Sequence, residues 1–183
     1  MEDAFVVLRK RSMASAQKKA ARSTHEGAVG PHIHVGGKIG VLVEVNCESD
    51  FVARTEDFQE LLKDVAMHIA ATDPRYIRRE DVTEEDLARE KEIYRAQAAA
   101  TGKPAPVVEK IVEGKMTKFY EEVCLLDQPF IKEQTVSIKE LIAQKVGKLG
   151  ENITIRRFAR FKVGDPNWTV AQTKVVEEAP AAE

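Results

Sequence analysis

Apolar residues occupy every second position from Ile39 to Cys47, which is the period of a strand with one buried face. This pattern predicts a strand from Lys38 to Cys47. A shorter strand is predicted from His32 to Val35. The Gly36-Gly37 pair between them is typical of a hairpin turn, because both glycines can adopt positive φ without steric cost.

Helical spacing dominates most of the remaining sequence. Residues 2–22 are predicted to be helical, with Gly27 and Gly30-Pro31 closing the segment. Thr55 is a predicted N-cap, and an apolar stripe with helical spacing follows it. The other predicted helices run from Thr83 to about Ala100, from Val108 to Val123, and from a Ser137/Glu140 capping box to Gly147 or Gly150.

A last strand is predicted from Asn152 to Val163. Arg157 interrupts its apolar face, so we expect a bulge or an exposed edge there. The residues predicted to share that face are Ile153, Ile155, Ala159, Phe161 and Val163.

These elements predict an α+β fold in which helices pack on a small antiparallel sheet. The two central helices predict an antiparallel helical hairpin that projects from the core at about 83–127. We divide the chain into an N-terminal helical segment (1–30), a core domain (31–163) and a mobile tail (164–183), because the last segment is rich in Ala, Glu and Pro.

The composition narrows the function classes. With 183 residues, 43% hydrophobic and 32% charged, the chain is typical of a soluble globular protein. Its 28 basic and 30 acidic side chains give a formal charge of −2, so no overall field attracts nucleic acid. No apolar run reaches about 20 residues and no signal-peptide pattern is visible, so we expect a cytoplasmic protein without a membrane span.

The end of the second strand is the most informative place for function. The polar run Glu48-Ser49-Asp50 suits a turn or helix cap, and Phe51 follows directly. A large apolar side chain beside a charge is a candidate anchor for a partner's pocket. The alternative is that Phe51 folds back onto the core.

Two chemical alternatives are weaker. Cys47, Asp50 and a histidine could supply a nucleophile, an orienting group and a base, but no protease-like signature surrounds Cys47, and a buried thiol is favoured. His32 and His34 face the same way on a strand, but no neighbouring cluster completes a metal site. We therefore expect no enzyme activity, no metal and no cofactor.

Nucleic-acid binding rests on local basic clusters. These are Arg9-Lys10-Arg11, Lys18-Lys19 and Arg156-Arg157 with Arg160. A solvated helix face explains the first two equally well. An RNA-binding or ribosome-binding accessory protein is the alternative function, although we expect no specific nucleic-acid binding.

Several segments together resemble one protein family. Residues 43–54 resemble the signature of elongation factor Ts, the nucleotide-exchange factor for elongation factor Tu, and depart from it only at Ser49, where the family usually has Thr. The resemblance covers most of the chain from Glu2 to Gly164 and is carried further by segments 64–71, 109–115, 119–130, 150–153 and 156–158.

The resemblance implies a mechanism. Ser49, Asp50, Phe51 and Val52 would contact the nucleotide domain of elongation factor Tu, and the phenyl ring would weaken the partner's hold on magnesium and GDP. A thousandfold weakening requires about 4 kcal/mol of negative coupling, whereas burying one phenylalanine contributes about 1.5–3 kcal/mol. The resemblance therefore implies that the core also binds a second domain of the partner. A homodimer is left open.

The N-terminus departs from the family pattern. Family members begin with a three-helix module, whereas Glu2 to Arg11 resembles the last helix of that module. We therefore expect a truncated N-terminal module, which means either that the true start lies upstream or that this version is weakened.

Overall fold

The computed structural model describes residues 2–100, 102, 104–166 and 169–173. Their elements, in chain order, are α1 (Glu2–Lys19), β1 (Glu26–Ile33), β2 (Ile39–Cys47), α2 (Asp50–Ala53), α3 (Glu56–Thr72), α4 (Glu84–Ala99), α5 (Ala105–Val123), β3 (Pro129–Phe130), β4 (Glu133–Ser137), α6 (Ile138–Leu149), β5 (Ile153–Lys162) and β6 (Thr169–Gln172). Single-turn 3-10 helices span Arg79–Asp81 and Leu125–Asp127. The predicted α+β class is confirmed.

The main sheet has the strand order β1-β2-β5-β6, and every neighbouring pair is antiparallel. The inward residues of β2, from Val41 to Cys47, are almost completely buried. They belong to the same hydrophobic core as the apolar stripe of α3, which includes Phe58, Leu61 and Val65. Helix α3 therefore covers one face of the sheet, as the sequence pattern indicates.

The predicted helix caps are confirmed. Thr55 Oγ1 accepts a hydrogen bond from Phe58 N at the start of α3. Ser137 and Glu140 form a reciprocal capping box, with distances of 3.3 Å from Glu140 N to Ser137 Oγ and 3.0 Å from Ser137 N to Glu140 Oε2. Each cap satisfies N–H groups that the first helical turn leaves without partners.

The first strand begins earlier than predicted. The predicted strand is His32 to Val35, whereas β1 spans Glu26–Ile33 and takes in Gly27, Gly30 and Pro31. Position 30 requires glycine, because a Cβ there would lie 2.5 Å from Leu62 Cγ. Pro31 is tolerated because β1 is an edge strand. The sheet thus begins inside the predicted N-terminal segment 1–30.

A bulge changes which residues of β5 face the core. Glu44 pairs with Arg157 and Val45 pairs with Ile155, so Arg156 is the extra residue. The bulge expected near Arg157 is therefore present, but it reverses the alternation beyond it. Phe158 and Arg160 point inward and are buried, whereas Phe161 and Val163 are exposed, so the predicted single apolar face is wrong.

Part of the predicted tail is a strand. Residues Thr169–Gln172 form β6, which pairs with β5 from Arg157↔Gln172 to Arg160↔Thr169. Thr169 also donates a hydrogen bond to Asp73. The short strand escapes prediction because its stability comes from this pairing, and four residues give too little periodicity. Residues 167, 168 and 174–183 of that predicted tail lie outside the described residues.

Helices α4 and α5 form the predicted hairpin and have their own hydrophobic cluster, which includes Val112, Met116 and Phe119. Arg95 and Glu109 join the two helices through an exposed ion pair at 3.1 Å. This cluster is separate from the main core, so the hairpin is stabilised largely by its own packing.

In the part of the chain described here, no helix is long and apolar enough to cross a membrane.

A buried histidine lies where α3 meets the base of the hairpin. His68 is fully buried; its Nε2 lies 3.0 Å from Gln128 Oε1, and its Nδ1 accepts a hydrogen bond from Ile131 N. These partners suit the neutral ring with its proton on Nε2. Burial lowers the pKa of His68 from 6.5 to about 4.

We expect acid to destabilise the fold through His68. At His68, the folded protein binds fewer protons than the unfolded chain between pH 6.5 and 4. The stabilisation that comes from keeping the ring neutral is therefore complete above pH 6.5 and is lost as pH falls toward 4. The loss approaches about 3 kcal/mol. Urea unfolding at pH 7.5 and 5 should show about 2 kcal/mol of this loss, because the ring is only partly protonated in the folded protein at pH 5. A His68→Gln variant should depend less on pH across this window; an equal dependence would assign the effect to other groups.

Candidate partner-binding site

The candidate site is the short helix α2, which begins directly after the central strand β2. Ser49 is its N-cap, and Ser49 Oγ accepts a hydrogen bond from Val52 N at 3.4 Å. The prediction that the polar run forms a helix cap is therefore confirmed. Because Cys47 is fully buried at the end of β2, the site starts from a fixed point of the core.

Phe51 lies on the outer side of α2 and is 77% exposed. The alternative in which this ring folds back onto the core is therefore contradicted. An exposed phenylalanine leaves a large apolar area in water, which a partner's pocket could cover. Its role in binding stays a prediction.

Asp50 is the second outward residue of α2. Its carboxylate accepts a hydrogen bond from Arg54 at 2.6 Å, and both side chains are mostly exposed. An exposed pair at i,i+4 contributes little stability. Asp50 and Arg54 therefore remain accessible as charged groups beside the phenyl ring. Arg54 is not among the predicted contact residues, although its spacing from Asp50 on a helix could have indicated it.

The inner side of α2 belongs to the core. Val52 is only 6% exposed and packs in the main hydrophobic cluster together with Ala53. The prediction places Val52 among the partner-binding residues, but the structure turns its side chain inward. Val52 therefore anchors the helix, while Asp50 and Phe51 face outward.

The carbonyl groups at the end of α2 are also satisfied. Thr55 Oγ1 donates a hydrogen bond to Val52 O at 2.7 Å, and Gln59 Nε2 donates one to Ala53 O at 2.8 Å. These contacts join α2 to the first turn of α3. A four-residue helix on its own is unstable in water, so α2 depends on these bonds and on the burial of Val52.

Cys47 lies next to this site, but its surroundings disfavour the reactive thiolate form. Its Sγ donates a hydrogen bond to Ser49 O at 3.1 Å. Burial, with a smaller contribution from Glu151, raises the pKa of the thiol to about 11. A thiol with such a pKa is a poor nucleophile near neutral pH.

His32 lies on β1, and His34 follows just beyond the end of that strand. The rings of His32 and His34 lie 6.1 Å apart. Over the described ranges, no group of three or more His, Cys, Asp or Glu residues is arranged to hold a metal ion.

The outer face of the sheet is a second exposed surface. In the strand register, Pro31 pairs with Leu42, Leu42 with Ala159, and Ala159 with Val170. Directly paired residues point to the same side of a sheet. These residues therefore form an apolar row across all four strands on the side away from α3, and Leu42 at its centre is 50% exposed.

The α+β core thus carries an exposed aromatic residue on a short helix that is fixed to it. A family model described as elongation factor TS matches residues 13–165. The elongation factor Ts of Koribacter versatilis (strain Ellin345) is 69% identical over 186 residues, which cover 100% of this chain and 85% of that protein.

Two further relatives agree with this match. The elongation factor Ts of Solibacter usitatus (strain Ellin6076) is 59% identical and covers 97% of this chain and 82% of that protein. The elongation factor Ts of Geobacter sulfurreducens is 55% identical over 90% of this chain and 76% of that protein. The chain belongs to the elongation factor Ts family, a family of translation elongation factors.

Proposed function

We propose that this chain binds elongation factor Tu and promotes the release of GDP from it during translation elongation. The observation that carries the proposal is the position of Phe51, which projects from α2 and is largely exposed. The family membership supplies the identity of the partner. Asp50 and Phe51 are the proposed contact residues, and Ser49 and Val52 hold them in place.

The mechanism is a wedge supported by further contacts. Insertion of Phe51 into the partner's nucleotide domain would contribute about 1.5–3 kcal/mol, and a preformed helix reduces the ordering cost of binding. A thousandfold loss of GDP affinity requires about 4 kcal/mol. Contacts between the core and a second domain of the partner supply the remainder in this proposal.

We also propose that the chain performs no bond-breaking chemistry and uses no cofactor of its own. The raised pKa of the Cys47 thiol, about 11, supports this because a thiolate is the reactive form. A cytoplasmic location follows from the proposed role in translation.

Binding to elongation factor Tu is favoured over binding to RNA. Several cations of the basic clusters already have acidic partners: Arg157 lies 2.6 Å from Glu44, and the buried Arg160 lies 3.0 Å from Asp73. Arg9 pairs with Glu140. Paired cations release fewer counterions when they meet a phosphate backbone.

We propose that the outer sheet face forms a homodimer interface. A second copy suits this surface, because one apolar row on a twisted sheet can pack on itself around a two-fold axis. The ion pair between Glu44 and Arg157 lies beside the row and would form part of a polar rim. An exposed apolar face of this kind otherwise favours nonspecific association.

Leu42→Glu should convert the dimer to a monomer without unfolding it, because Leu42 points outward and is half exposed. Two like charges would face each other near the centre of the interface. Sedimentation velocity at micromolar concentration measures the change. Val107→Glu, at an exposed position on α5, is the matched control and should remain dimeric. A wild-type chain that is monomeric at all concentrations would remove the dimer proposal.

Complex formation tests the proposed function. Because coupling between two ligands is reciprocal, GDP must weaken the complex by the same factor by which this chain weakens GDP binding. The affinity for elongation factor Tu should therefore be high without nucleotide and fall when GDP is added, as measured by calorimetry. An affinity that GDP leaves unchanged would contradict an exchange function.

A further inference from the structure

Glu151 makes an unusual set of contacts with the loop that carries α2. It lies between α6 and β5, more than 100 positions from its partners. Glu151 Oε2 accepts hydrogen bonds from Glu48 N at 3.1 Å and from Ser49 N at 3.0 Å. Glu151 Oε1 accepts a third from Ser49 Oγ at 2.6 Å. One carboxylate thus satisfies two backbone N–H groups and the hydroxyl of the α2 cap.

The same two loops are joined in the reverse direction. Glu48 Oε1 accepts a hydrogen bond from Asn152 N at 2.6 Å. Asn152 is buried, and its Nδ2 donates to Arg22 O at 2.8 Å just beyond the end of α1. We call the four residues Glu48, Ser49, Glu151 and Asn152 the carboxylate clasp.

The carboxylate clasp restrains Glu48 and Ser49, which form the hinge between β2 and α2. Cys47 is fixed in the core and Phe51 is exposed, so Glu48 and Ser49, together with the packing of Val52 and the bonds to α3, set the direction in which α2 projects. On the outer side, the exposed pair of Asp50 and Arg54 contributes little, as such pairs generally do. Three hydrogen bonds that converge on one side-chain group are the stronger restraint.

We infer that Glu151 is a positioning residue for nucleotide exchange: it fixes the hinge at Glu48 and Ser49 so that Phe51 is presented in its binding orientation. The inference rests on the proposed function, since Phe51 is taken as the wedge. Without Glu151, two N–H groups lose their acceptor and the hinge gains freedom. Binding must then order the hinge, which lowers the affinity for the partner.

A Glu151→Gln variant can separate the positioning role of Glu151 from the effect of its charge. Both backbone bonds converge on Oε2 alone. In Glu151→Gln, the amide oxygen can occupy that place while the amide nitrogen faces the Ser49 hydroxyl, which can act as the acceptor. Glutamine should therefore preserve the clasp, whereas alanine removes it.

The test measures fluorescent-GDP release from elongation factor Tu well below the melting temperature of each variant. Glu151→Ala should raise the concentration for half-maximal release about tenfold, equivalent to ~1.4 kcal/mol. Glu151→Gln should stay within about twofold of the wild type, which corresponds to ~0.4 kcal/mol. Val146→Ala, in the buried face of α6, is the stability control and should lower the melting temperature without raising that concentration.

A double-mutant cycle with Phe51 completes the test. In the Phe51→Ala background, Glu151→Ala should cause almost no further loss, because the group that it positions is absent. Additive losses, or wild-type exchange by Glu151→Ala, would overturn the inference.

Amide hydrogen exchange on the chain alone separates this inference from the proposed function. The N–H groups of Glu48 and Ser49 should exchange faster in Glu151→Ala and remain protected in Glu151→Gln. If the wild type accelerates no GDP release, the proposed function fails, and Glu151 has no role in exchange. If exchange depends on Phe51 while these two N–H groups keep their protection in Glu151→Ala, only the clasp inference fails.

Discussion

Phe51→Ala is expected to remove most of the exchange activity while changing the free energy of unfolding by no more than about 0.5 kcal/mol. Phe51 is 77% exposed, so the folded chain loses little packing when the ring is removed. The complex, in contrast, loses a contribution of about 1.5–3 kcal/mol, equivalent to a factor of roughly 10–150. GDP-release rates and circular dichroism melts on the same preparations measure both quantities.

Asp50→Ala is the graded control and should be milder, because a partly solvated charge at a rim contributes less than a buried anchor. If Phe51→Ala instead melts many degrees lower and loses activity only in proportion to its unfolded fraction, the ring belongs to the fold. The wedge assignment would then be withdrawn.

Phe58→Ala is expected to have the opposite effect. Phe58 lies in the first turn of α3, is fully buried and packs in the main core. Its truncation leaves a cavity and should cost about 3–5 kcal/mol of unfolding free energy. Urea unfolding at pH 7.5 measures the loss.

The two phenylalanines form a matched pair seven positions apart in the sequence. At a temperature where Phe58→Ala remains folded, its exchange activity should stay close to the wild type. A stability loss below about 1 kcal/mol, within the range of ordinary surface substitutions and mild core changes, would mean that this part of α3 is poorly packed.

The sequence was sufficient to predict the helices and strands whose apolar periodicity is strong and local. The alternation through β2, the apolar stripe of α3 and the caps at Thr55 and Ser137 all correspond to the structure. The position of the candidate site was also predictable, because the polar run after β2 marks the end of a strand and the start of a helix.

Features that depend on distant contacts were not predictable. The bulge at Arg156 is set by pairing with β2, and it alone decides that Phe158 faces inward and Phe161 outward. Strand β6 exists through its pairing with β5. Tertiary pairing overrides local alternation at both places.

At the candidate site, too, some features were predictable from the sequence and others depend on the folded structure. Asp50 and Phe51 are where the sequence pattern places them, but the inward direction of Val52 follows from how α2 packs on the core. Glu151 carries no local signal, because its hydrogen bonds to Glu48 and Ser49 join segments more than 100 residues apart. Only the folded chain brings these carboxylate and amide groups together.

The rate of GDP release from elongation factor Tu is the most direct test of the central claim. Elongation factor Tu is loaded with fluorescent GDP, mixed with excess unlabelled GDP, and followed by stopped flow with increasing amounts of this chain. The release rate should rise with the concentration of the chain, and substoichiometric amounts should suffice, with no nucleotide consumed. An unchanged release rate, even with the chain in large excess, would contradict the proposed exchange function.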